Sequence, residues 1–273
     1  RIAIYGDVNA NIIDGSSIWL RNTTLLCLGA PNTQVDLFLK APIEREHILD
    51  GLSKFKNLNI IEPTSIQLQG AAALSRESVV TLIEDQIRIK NYSAVILRGA
   101  EICLAAAQSD VVTGKIWAYL TDIPQRLSDL TESAKNNLEC ILKSSRFLLC
   151  QTEEMRNFLS NILTFDQYKL VLLPPVVSDS AFKNIKRTYE QDCSKSIRIF
   201  YSGKFAKAWA VETIVDHCSN MTDILLCVAG DKFQRAPNDP QYRERMEQKL
   251  LHSNNVDWIG ALRSEQIYDL QQS

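Results

Sequence analysis

Three short apolar runs in the second half of the chain each end in glycine followed by polar residues. "IFYSGKFAKAW" ends a run at Gly203 and adds Lys204 and Lys207. "LLCVAGDKFQ" ends one at Gly230, followed by Asp231 and Lys232. "VDWIGALRSEQ" ends one at Gly260. A glycine at the carboxyl end of a strand admits close approach of a ligand to the backbone. Ammonium groups beside a helix start suit an anion, and two of them suit a diphosphate. The opposing explanation is a solvated basic loop at the lysines and ordinary turn chemistry at the glycines. The shared placement of the three glycines favours a ligand: it makes a smooth rim on which a nucleotide can lie.

The first half carries a related stretch. In "YGDVNANIIDGSSIWLRNTT" an apolar run gives way to Asp14-Gly15-Ser16 and then to a helical pattern. Gly15 would let the backbone approach a ligand, and the amides that follow would point outward at the helix start. Ser16 or Ser17 serving only as an N-cap is the alternative. Gly6 and Gly15 are too far apart for a dinucleotide-binding GxGxxG.

Regular elements must position these residues. Strands are predicted at Ile2–Val8, Val35–Lys40, Leu58–Ile61, Ala94–Arg98, Lys115–Leu120, Arg146–Gln151 and Lys169–Leu173. Helices are predicted between them at Ser16–Leu28, Glu44–Lys54, Arg76–Lys90, Glu101–Gln108, Gln125–Lys143 and Glu153–Leu163. Such alternation predicts a parallel sheet covered on both faces. "LPPVVSDSAFKNIKRTYEQDCSKS" then interrupts the pattern, and a second series follows. Its strands are Ile197–Ser202, Asp223–Ala229 and Val256–Ile259; its helices are Ala208–Cys218, Pro240–Leu251 and Ser264–Gln272. The organisation expected is an α/β protein with domains at 1–173 and 197–273 and a linker at 174–196. A doubly wound domain usually has five or more strands, so the second is expected to be incomplete and the chain truncated at its carboxyl end.

The 273 residues are 45% hydrophobic and 23% charged with a net charge of -2, which gives no reason to expect nucleic-acid binding. No apolar run reaches transmembrane length. Seven cysteines, scattered singly at Cys27, Cys103, Cys140, Cys150, Cys193, Cys218 and Cys227, read as free thiols rather than zinc ligands or disulfides. Three sequons, at Asn22, Asn91 and Asn220, are discounted as chance triplets. His47, His217 and His252 fall in predicted helices and form no triad or metal spacing.

In their order these segments resemble the family-4 glycosyltransferases of the GT-B fold. The resemblance rests on Asp14-Gly15 after the first strand, "LLCQTEEMRNFL", "LPPVV", "FYSGKFAKAW", "AGDK" and "VDWIGALRSEQIYDL", and spans nearly the whole chain. It implies two facing Rossmann-like domains with a cleft between them. The C-terminal domain would bind a nucleotide-diphosphate sugar and the N-terminal domain a glycan, lipid or protein acceptor. Transfer would retain anomeric configuration, with no metal or other cofactor, in a cytoplasmic or membrane-peripheral protein of polysaccharide biosynthesis. Gly15 and Ser16 would face the donor phosphates. Lys204 stands where the family has an arginine, and Gly203, Gly230 and Asp231 complete the donor edge. The family's next lysine falls near Trp209-Ala210, and Lys207 would take its place. Its sugar-contacting glutamate would lie beyond Ser273. The family's N-domain histidine is not evident in "IWAYLTDIP", which offers Tyr119 and Asp122 on the acceptor side. No catalytic residue is assigned. A sugar-nucleotide epimerase of the same fold and a non-catalytic glycan-binding scaffold are the alternatives.

Overall fold

The computed structural model describes the chain except residues 13, 46–47, 122, 125, 164–166, 177–196, 235, 263–265, 268–269 and 271–273. It divides into two compact units, Arg1–Val177 and Ser178–Ser273. Residues 177–196, which hold most of the expected linker, lie outside the described residues.

In the first unit, seven parallel strands form one sheet: β1 Ile2–Gly6, β2 Val35–Phe38, β3 Leu58–Ile61, β4 Ala94–Arg98, β5 Ile116–Tyr119, β6 Ser145–Cys150 and β7 Leu170–Leu172. Their order is β3-β2-β1-β4-β5-β6-β7, so the chain reverses its direction across the sheet between β1 and β4. There Tyr5 pairs with Leu97 and Gly6 with Arg98. The helices are α1 Gly15–Leu28, α2 Ser65–Leu68, α3 Arg76–Ile89, α4 Ala100–Ala107, α5 Glu132–Ser144 and α6 Glu153–Ile162. Strand alternation separates two cores. Ala3, Tyr5, Val95 and Leu97 join the core containing Val79, Ile83, Ile141 and Leu159. Ile4, Leu37 and Ile96 face Trp19, Leu20, Leu49 and Leu52.

Among the described residues two polar residues, Asp36 and Ser145, are buried in the strands of this sheet. The Asp36 carboxylate, fully buried, accepts from Arg1 Nη1 at 2.7 Å, Lys90 Nζ at 2.9 Å and the Tyr92 hydroxyl. Burial pushes its pKa up, but Tyr92, Lys90 and Arg1 outweigh burial and hold it below the usual carboxylate value.

The second unit has three parallel strands among the described residues, β8 Ile197–Ser202, β9 Ile224–Ala229 and β10 Val256–Gly260, in the order β10-β9-β8. Helices α7 Val211–Ser219 and α8 Tyr242–His252 cover it, burying Val211, Val215, Met246 and Leu250 with Leu226 and Val228. No helix among the described residues is long and apolar enough to cross a membrane.

Two predicted helices differ. The segment expected as helix Glu44–Lys54 folds as turns in its described part, with Leu52 N–H donating to Leu49 O and Phe55 N–H to Leu52 O. Gly51 at φ +72° breaks the helical path. The segment expected as Gln125–Lys143 becomes a 3-10 turn at Leu127–Asp129 and then α5, because the Thr131 side chain caps the Ala134 amide. The C-terminal helix Ser264–Gln272 falls largely outside the described residues, as do His47 and Cys193.

The sequon at Asn22 is closed by the fold: Asn22 is buried, and its Nδ2 donates to Val176 O at 2.8 Å. His217 and His252 each place Nδ1 within 3 Å of a carbonyl one turn earlier, Thr213 O at 2.8 Å and Gln248 O at 2.9 Å.

Candidate functional site

The carboxyl edge of β8-β9-β10 brings Gly203, Gly230 and Gly260 together through the backbone. Gly203 N–H donates to Ala229 O at 3.0 Å, and Gly230 N–H to Gly260 O at 2.7 Å. Gly230 has a reason to be glycine independent of any ligand. Its φ is +146°, and a Cβ there would stand 2.1 Å from Gly203 O. Trp258 Nε1 donates to Gly230 O at 2.8 Å and fixes the same peptide. Beneath the edge lies an aromatic cluster: Phe205 stacks on Phe233 at 4.7 Å, and Trp258 meets both edge-on.

The loop from β8 to α7 crosses this edge. Lys204 follows Gly203, is half-buried, and its carbonyl accepts from the Tyr201 hydroxyl at 2.6 Å. Phe205 is buried and pins the loop by Phe205 N–H to Lys232 O at 2.8 Å. A 3-10 turn, Lys207–Trp209, leads to Ala210 in the left-handed region (φ +53°, ψ 24°), and α7 begins there with no side-chain cap. Trp209 is exposed. Asp231, exposed, follows Gly230 just beyond β9.

Lys207 is engaged: its Nζ meets Asp239 Oδ2 at 2.9 Å. Asp239 also accepts from Arg245 Nη2 at 2.8 Å, and Arg245 grips Glu212 on α7 through Nε at 2.7 Å. Lys249 joins Glu212 at 3.0 Å. Arg245 and Lys207 hold the Asp239 carboxyl well below its usual value. This ion-pair group was not predicted. Lys207 and Asp239 lie far apart in sequence, and only the packing of α7 against α8 joins them.

In the first unit the Asp14-Gly15-Ser16 turn is a capped helix start. The Asp14 carboxylate accepts from the amides of Ser16 at 2.9 Å and Ser17 at 3.0 Å, and Ser17 Oγ accepts from Asp14 N–H at 2.9 Å. The cap is thus Asp14, neither Ser16 nor Ser17, and the Ser16 amide that would meet a phosphate is already bonded to a carboxylate. Gly15 is exposed, with open space around it.

The reversal point of the first sheet gathers charge instead. Asp7, just past β1, accepts from Lys40 at 2.6 Å and from Arg76 Nε at 3.1 Å, while Arg76 also pairs with Glu101. Burial raises the Asp7 pKa, but Lys40 and Arg76 outweigh it and keep the carboxyl below its ordinary value. Arg98, at the end of β4, lies over the Trp19 ring at 5.7 Å. Sequence alone could not nominate this group, because strand order decides which loops meet. Tyr119 is 2% exposed and packs against Trp19 at 4.6 Å. Its side chain belongs to the core beneath that point. Asp122 lies outside the described residues.

Among the described residues no group of three or more His, Cys, Asp or Glu is placed to hold a metal ion. Burial pushes the Cys27 and Cys150 thiols up to about 11.

No family model and no curated protein matches this chain in sequence. Solved structures match it in fold. Anabaena HepE, solved with UDP and glucose, has a TM-score of 0.63 and 8% identity, covering 98% of this chain and 71% of its own. Sucrose-phosphate synthase from Thermosynechococcus elongatus has a TM-score of 0.62 and 12% identity, covering 99% and 73%. UDP-GlcNAc 2-epimerase from Neisseria meningitidis, bound to UDP-GlcNAc, has a TM-score of 0.54 and 15% identity, covering 100% and 75%. The class these observations define is the GT-B fold, an α/β architecture with parallel sheets.

Proposed function

We propose that this protein is a glycosyltransferase that moves a sugar from a nucleotide-diphosphate donor to an acceptor, and that its donor site is the carboxyl edge of β8, β9 and β10. The observation that carries the proposal is the start of α7. It is a helix N-terminus without a side-chain cap, approached by a loop bearing Lys204 and Lys207. In this assignment Gly203 and Lys204 receive the diphosphate, with Lys207 beside them, and Gly230 and Asp231 bound the neighbouring edge. Negative charge grows on the diphosphate as the sugar leaves, and fixed cations and helix amides stabilise that charge. HepE and the Neisseria epimerase, which share the fold, were solved with UDP or a UDP-sugar, in support of the same ligand class here. Retention of configuration, a glycan, lipid or protein acceptor and the absence of a cofactor belong to the same proposal.

The likeness to the Neisseria epimerase supports a second reading, epimerisation of the sugar nucleotide. That chemistry needs a proton-accepting group, and Asp7, held ionised between Lys40 and Arg76, is a weak base.

The test incubates the protein with UDP-, GDP-, ADP- and TDP-sugars, with and without glycan and lipid acceptors. Products are identified by mass spectrometry and their anomers by NMR. Transfer is expected with one donor. Lys204→Ala should lower kcat/KM by about 10- to 100-fold, matching the roughly 1.5–3 kcal/mol of a charge-assisted hydrogen bond. Full activity of Lys204→Ala at subsaturating donor would refute its role, and an epimerised nucleotide-sugar would establish the second reading.

A further inference from the structure

We infer that Asp239 is a positioning residue that withholds Lys207 from the diphosphate site, so that an arriving anion must exchange with it. The inference rests on the donor site proposed above. The argument is an asymmetry of partners. Asp239 is mostly shielded and is held by two cations, Lys207 at 2.9 Å and Arg245 at 2.8 Å. Arg245 is anchored in turn by two contacts to Glu212, at 2.7 and 3.2 Å. Asp239 therefore keeps a charge partner when Lys207 leaves. Lys207 is over half exposed on a short turn between β8 and α7, so its ammonium can swing without disturbing a core.

Exchange has a sign. An anion approaching Lys207 meets the like charge of Asp239 within hydrogen-bond distance of the same nitrogen. An exposed ion pair contributes about 0.2–1 kcal/mol, so removing the competitor should tighten anion binding by about 1.4- to fivefold. Were Asp239 instead to aim Lys207 at the ligand, its removal would weaken binding. The two roles predict opposite directions.

The experiment titrates UDP and inorganic pyrophosphate into the full chain by calorimetry at low salt. Asp239→Asn, which keeps an acceptor for Arg245, should tighten both ligands by about 1.4- to fivefold, the gain shrinking as salt is added. Asp239→Glu, which keeps the charge, should not tighten them. Lys207→Ala should weaken them, and Lys207→Ala with Asp239→Asn should bind no better than Lys207→Ala alone. Thermal melts confirm that each variant is folded. Weaker binding by Asp239→Asn, unchanged binding, or a gain that survives in the double variant would overturn the inference while leaving the donor site standing. Absence of UDP and pyrophosphate binding in every variant would overturn the donor site and the inference together.

Discussion

Two turns carry the chain from a unit's first strand into a helix, and they differ in what stands at the helix start. The α1 start holds its own anion: the Asp14 carboxylate bonds the Ser16 and Ser17 amides, and Ser17 closes the box. The α7 start follows Ala210, has no side-chain cap, and is preceded by two lysines. A helix N-terminus carries roughly half a positive charge. In α1 that charge is met by the Asp14 carboxylate on the first amides; in α7 no side chain bonds those amides, Glu212 in the first turn is engaged by Arg245 and Lys249, and Lys207 is engaged by Asp239. The comparison teaches that a glycine after a first strand does not by itself mark an anion site; what occupies the amides decides.

The largest effect should come at Gly230, which packs against Gly203 in the α7 turn, set against Gly15 in the α1 turn. Gly230→Ala places a Cβ against a backbone carbonyl in a left-handed conformation and should cost about 2–4 kcal/mol of stability. Gly15→Ala puts a methyl into open space and should cost nothing measurable. Denaturant unfolding of both variants checks the contrast. Equal midpoints would mean that the edge of β9 relaxes freely.

Next in size is acid sensitivity. The Asp36 carboxyl is held below its unfolded value, so its contribution is complete above about pH 4 and is lost as pH falls through its folded pKa. Asp36→Asn should cost about 1–3 kcal/mol at pH 7 and flatten the decline of stability with acid. Because Asp36 is fully buried, added salt should alter this little, whereas the exposed Lys207–Asp239 and Lys249–Asp216 pairs should weaken with salt. Melting temperatures from pH 7 to 3 at two salt concentrations provide the test.

Smaller still, Asp14→Ala should cost about 1 kcal/mol through loss of the α1 cap. It should also free the Ser16 and Ser17 amides, making the α1 start resemble the α7 start. If Asp14→Ala gains no affinity for pyrophosphate, charge neutralisation is not what separates the two turns.

Much of the fold was legible because buried parallel strands read as short apolar runs. Leu58–Ile61, Ala94–Arg98 and Ile197–Ser202 form at the predicted bounds. The misses have local causes. Gly51 defeats an apolar helical pattern, Thr131 starts α5 later than periodicity suggests, and α2 is too short to show a period. The candidate site was legible only in its backbone. Gly203, Gly230 and Gly260 do converge at one edge, as three strand ends in a parallel sheet must. The partners of the charged groups were not, since Asp239 reaches Lys207, and Lys40 and Arg76 reach Asp7, only through tertiary packing. The Asp14 cap is written in the sequence as Asp-x-x-Ser, a pattern in which the carboxylate and either serine are all chemically able to cap, and only the fold shows that the carboxylate does.

Hydrogen–deuterium exchange with and without UDP tests the central claim most directly. The account predicts that UDP protects the amides of residues 203–213 and leaves those of residues 15–18 unchanged. Protection at residues 15–18 with none at 203–213 would contradict it.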